Sequence, residues 1–65
     1  MRIYDCTADC LVDFVLLHYY VKAKNMRDAW LKAYIHFNNS PVADGGSVDC
    51  KRISYNEVPV DTKIY

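Results

Sequence analysis

A chain of 65 residues, with eight Lys or Arg against eight Asp or Glu and a formal net charge of zero, is expected to form a single domain over residues 1–65. That balance excludes a strongly acidic mimic of DNA and argues against a general nucleic-acid binder, whose affinity rests on excess positive charge. Apolar residues make up 52% of the chain, which is a globular rather than a disordered composition.

A domain this small buries only about 60% of the surface its unfolded chain exposes. Each large apolar residue outside the core therefore needs a reason. Residues 2–8, RIYDCTA, predict a first strand. Met1 runs directly into it without an apolar h-region, so no secretory signal is expected. Residues 11–24, LVDFVLLHYYVKAK, carry the strongest strand pattern. Val15, Leu17, Tyr19, Val21 and Ala23 fall on one face, and Phe14, Leu16, His18, Tyr20 and Lys22 on the other. Both faces begin apolar, so this strand is expected at the centre of the sheet. The apolar stretch Val12 to Val21, interrupted by Asp13 and His18, is too short to span a bilayer.

At Asn25 the period changes. Asn25 suits a helix N-cap, and Asp28 follows at capping-box spacing. Met26, Ala29, Trp30, Ala33 and Phe37 then recur at helical intervals. The two alanines permit close approach to a sheet, and Trp30 and Phe37 are expected to fill the core. On that reading, Trp30→Ala unfolds the domain. Asn38, Asn39, Ser40 and Pro41 end the helix. Asp44-Gly45-Gly46 marks a turn in the following loop. Residues 48–55 predict a third strand and residues 58–65 a fourth, which Pro59 confines to an edge. The order β-β-α-β-β predicts an α+β fold: a small antiparallel sheet with one helix packed on one face.

That helix carries an anomaly. At about 100° per residue, the core-facing side centres on Trp30, Ala33 and Phe37. Leu31 and Ile35 fall on the opposite side, near Asp28 and Lys32, with Tyr34 on the flank. A surface helix should be polar there, and contiguous exposed apolar groups often mark partner surfaces. Three explanations stand: a protein interface, a C-terminal segment folded back over the pair, or scattered surface residues of the ordinary kind. The candidate partner-binding residues are Arg27, Leu31, Lys32, Tyr34, Ile35 and Tyr20.

Chemical constellations are sparse. Cys6, Cys10 and Cys50 with His18 would supply a Cys₃His set, but Cys50 lacks a close second ligand, so no metal and no cofactor are expected. A Cys6–Cys10 bond is excluded on a straight strand, because bridged Cα atoms lie within roughly 7 Å. An odd cysteine count without a secretory signal predicts reduced, buried thiols and a cytoplasmic location. Only two histidines are present, and neither stands beside a nucleophile and an orienting group, so catalysis is not expected. Asp5, Asp9 and Asp13 make the start acidic, and Lys22, Lys24, Arg27 and Lys32 make the middle basic.

The expected function is that of a small non-enzymatic inhibitor or adaptor. It would mask a surface of a larger host protein or complex, with homodimerisation through the outer helix face as a further possibility and no membrane association. In size and self-contained layout the chain resembles small proteins of phages and other mobile elements. Those often inhibit host machinery, including restriction and CRISPR defences, and the resemblance implies an anti-defence role, such as anti-CRISPR, in the host cytoplasm. The alternative is a small nucleic-acid-binding regulator using the Lys22–Lys32 segment with Tyr20, joined by Lys51 and Arg52 from a neighbouring strand.

Overall fold

The computed structural model describes residues 1–10 and 16–65 of the chain. Strand β1 (Arg2–Asp9) buries Tyr4, Cys6 and Ala8 on one side. Strand β2 (Leu16–Ala23) pairs with it antiparallel, setting Val21 opposite Tyr4, Tyr19 opposite Cys6 and Leu17 opposite Ala8. Alternate residues share a face, so these six line one side of the sheet. Helix α1 (Met26–Asn38) packs against that side. Strand β3 (Asp49–Ile53) pairs antiparallel with the other edge of β1, which gives the order β2-β1-β3. The expected α+β class, with one helix on one face of an antiparallel sheet, is the class observed.

The centre of the sheet is β1, not β2. β1 has a strand on each edge, with Tyr4 and Ile3 shielded on its two faces and Asp5 and Thr7 half-buried. β2 leaves Leu16 exposed on the face away from the helix. The first five residues of the strand expected over 11–24 lie outside the described residues. A fourth strand over 58–65 does not form. Asp61 adopts a left-handed backbone (φ 64°), and the Thr62 amide donates to the Pro59 carbonyl, so the segment turns instead of extending. Only its tip joins the sheet. Ile64 bridges Tyr20 in parallel, the Tyr65 amide donates to the Tyr20 carbonyl at 2.7 Å, and the Lys22 amide donates to the Tyr65 carbonyl at 3.2 Å.

The helix begins as its sequence predicts, with the Asn25 side chain accepting from the Asp28 amide at 2.8 Å. Its core-facing side is rotated from the expected one. Ala29, Ala33 and Phe37 are all at 0% exposure, whereas Trp30 lies half-buried on the flank. The alanines let the helix backbone approach the sheet, and the space that remains beneath it is too thin for an indole. Trp30 instead donates its Nε1 proton to the Val48 carbonyl at 3.0 Å and stacks on Tyr34.

The expectation of three reduced thiols is corrected. Cys6 and Cys50 stand opposite each other in the β1–β3 register, with Cα atoms 4.1 Å apart, and are joined as a disulfide. A Cys6–Cys10 bond is not formed, and Cys10 is a buried free thiol. Such bonds persist in oxidising compartments and are rare in the cytoplasm, so the cysteine count no longer supports a cytoplasmic location.

The bond closes a loop of 44 residues of sequence separation. Reduction is expected to lower stability by about 4 kcal/mol by the loop-entropy relation, which is comparable with the roughly 3–5 kcal/mol that one small core supplies. Thermal melts with and without a phosphine reductant measure this, and coincident melts would show that the bond holds nothing. In the helix, Phe37→Ala is expected to cost about 3–5 kcal/mol in urea titrations. Trp30→Phe should cost only about 1 kcal/mol, for the Val48 carbonyl left without its donor. The reverse ranking would contradict this helix orientation.

Candidate interaction surfaces

Arg27, Leu31 and Ile35 follow one another at i, i+4 spacing, so they form a single row along α1. That row lies opposite Ala29, Ala33 and Phe37, and it remains in solvent: Leu31 is 47% and Ile35 60% exposed. The aliphatic pair expected on the outer face is there. Arg27 is exposed at its N-terminal end.

Lys32 borders the row and is held. Its ammonium donates to the Lys22 carbonyl at 2.8 Å and stands 3.9 Å from the Asp28 carboxylate. The contact ties the helix to the end of β2. Tyr34 is half-buried on the flank, its ring 4.9 Å from that of Trp30 and nearly parallel to it. Tyr20 is not part of this surface. It alternates with Tyr19 and Val21, so it lies on the face of the sheet away from the helix. The six expected site residues therefore divide: five on or beside the outer side of α1, and one behind the sheet.

The C-terminal segment does not fold back over Leu31 and Ile35. Tyr65 packs between β2 and the His36 side of the helix, its ring centroid 5.2 Å from Tyr19 and 4.2 Å from His36. His36, also in contact with Tyr19, serves packing there. Among the described residues, the explanation that keeps the pair covered is removed, and the interface and surface explanations stand.

The sheet face that bears Tyr20 is a second surface. Among the described residues, the sheet has a helix on one side only, and no second layer stands on its other side. There the register sets Asp5 between Tyr20 and Lys51, Thr7 between His18 and Asp49, and Ile3 between Lys22 and Ile53. His18 Nδ1 lies 2.9 Å from the Asp5 carboxylate. A depression of about 300 Å³ is lined in part by Asp5, Thr7, His18, Asp49 and Lys51. Beyond β3, Tyr55 is 63% exposed, and the Lys22 ammonium sits 5.8 Å from its ring centroid. The alternation of buried Tyr4, Cys6 and Ala8 with Asp5, Thr7 and Asp9 in β1 is the sequence signal for this face.

On that face Asp5 holds His18, and Thr7 stands opposite His18 in the register. A carboxylate can orient an imidazole, but hydrolytic or transfer chemistry needs a nucleophile and a stabilising donor set converging on one point. Among the described residues, no three His, Cys, Asp or Glu side chains group as a metal site requires. None of the described helices is long and apolar enough to cross a membrane. No protein-family model, curated protein or solved structure matches the chain.

Charging the aliphatic row tests its place. Leu31→Asp with Ile35→Asp is expected to leave the fold intact, at a cost of about 1 kcal/mol from helix propensity. Urea titration followed by circular dichroism reads this, and a double variant that unfolds in buffer would place the pair in the core.

Proposed function

We propose that this protein is a non-enzymatic binding module that acts by masking a surface of a larger protein, as an inhibitor or adaptor does. The supporting observation is the exposed row Arg27, Leu31 and Ile35 on a helix whose opposite side is fully packed. Burying a large aliphatic side chain is worth about 1.5–3 kcal/mol. Leu16 and Val60 are exposed as well, each on a different segment, whereas Leu31 and Ile35 stand one turn apart on one helix face, headed by a cation. A groove on a larger protein takes such a row as an amphipathic helix is taken, through its i and i+4 anchors.

A small α+β domain that works by occupation rather than chemistry fits the pattern of phage and mobile-element proteins that inhibit host defences. That assignment rests on size and layout. The target would be a host protein or complex, and the helix row would be its point of contact.

Tagged protein is to be incubated with lysate of the source cells, and of the host if the chain is phage-encoded, with nuclease present throughout. The expected outcome is one stoichiometric protein partner, lost with the folded Leu31→Asp/Ile35→Asp variant. Retention of the same partner by the variant would remove the helix row from the interface. Self-association of the wild type alone, seen in sedimentation, would replace a foreign partner with a second copy.

A further inference from the structure

The fold sorts the charges that the sequence balances. The start of β1, the end of β2 and the end of β3 lie at one end of the sheet, since Arg2 faces Ala23, Ile3 faces Lys22, Tyr4 faces Arg52 and Asp5 faces Lys51. Lys24 and Arg27 follow at the start of α1, where cations oppose the helix dipole and raise the local positive potential. Among the described residues, Arg2, Lys22, Lys24, Arg27, Lys51 and Arg52 make no ion pair. Asp5 is held by His18, Asp28 by Lys32, and Glu57 accepts from the Ser54 amide, while Asp61 is exposed on the C-terminal segment and, among the described residues, makes no ion pair. Asp9, Asp44 and Asp49 gather toward the opposite end, where the Asp44 amide donates to the Asp9 carbonyl.

Of this basic end, Lys22 and Lys51 lie on the sheet face away from the helix, and that face carries aromatic rings. Tyr20 lies beside His18, with centroids 6.3 Å apart and planes 16° apart. Tyr55 is exposed with the Lys22 ammonium near its ring. We propose that this open face, from Tyr20 across Lys22 and Lys51 to Tyr55, binds single-stranded nucleic acid. Bases stack on the tyrosines, and phosphates lie along Lys22 and Lys51 and continue to Lys24. Unpaired cations alone would suit an acidic protein equally. An exposed ring beside a cation favours a base, whose flat π-face it can stack on. The face is separate from the helix row, so the two proposals fail independently.

The test is fluorescence anisotropy of labelled single-stranded DNA and RNA oligonucleotides of mixed sequence, beside a labelled polyglutamate peptide, with the full chain. Binding to at least one oligonucleotide is expected, falling about 20- to 50-fold between about 50 and 200 mM salt, as three or four phosphate contacts require. Lys22→Glu with Lys51→Glu is expected to weaken it by about tenfold or more, and Tyr55→Ala by about fivefold or more. Leu31→Asp/Ile35→Asp should leave it unchanged. Circular dichroism confirms that each variant is folded. Absence of oligonucleotide binding at about 50 mM salt would overturn the proposal. So would polyglutamate binding as tightly as the oligonucleotides with no effect of Tyr55→Ala, which would assign the face to an acidic polypeptide.

Discussion

The close seating of α1 on the sheet through Ala29 and Ala33 governs most of what this protein presents to solvent. Both alanines are fully buried against the face that carries Tyr4, Cys6 and Val21. A helix held that close has no room beneath it for large side chains other than at its end, where Phe37 fits. Trp30 and Tyr34 are displaced to one flank as a stacked pair, and His36 to the other beside Tyr65. Leu31 and Ile35 are then carried to the far side by helical geometry alone. Their exposure is a consequence of the same packing that makes the core.

The sheet beneath is tied at both edges by means other than a long ladder. At one edge, the tip of the chain supplies Ile64 and Tyr65 to β2, with two backbone hydrogen bonds standing in for a strand. At the other, the Cys6–Cys50 bond fastens β3 to β1 on the side facing the helix. The Trp30 bond to the Val48 carbonyl joins α1 to the approach of β3. A small core cannot supply much stability, and these ties act where it is thinnest. Among the described residues, no helix or strand layer covers the other side of the sheet.

Local periodicity made much of this legible. The bounds of β1 and α1, the Asn25 cap, the face of β2 holding Tyr19 and Val21, and the outward aliphatic pair follow from alternation, helical spacing and one side-chain hydrogen bond. Features that depend on distant residues were not. The Cys6–Cys50 pairing is set by which strand lies beside β1, and nothing near Cys6 reports it. The helix orientation was misplaced toward Trp30 because a wheel weights a residue by its apolar bulk. In the structure the smallest side chains define the line of closest approach. The edge strand over 58–65 gave way because Pro59 and Asp61 favour a turn over an extended run. Strand alternation places Tyr20 on the face with His18 and Lys22, and the structure keeps it there, apart from the helix row.

The side of α1 that faces water decides both the core and the exposed row. Methyl and aromatic NMR signals recorded with a soluble paramagnetic gadolinium chelate read this for each residue in solution. The methyl groups of Leu31 and Ile35 are predicted to broaden strongly, while those of Ala29, Ala33 and Val21 and the ring of Phe37 stay sharp. Sharp signals from Leu31 and Ile35, with broadening at Ala29 or Ala33, would contradict the packing on which both the fold and the proposed interface depend.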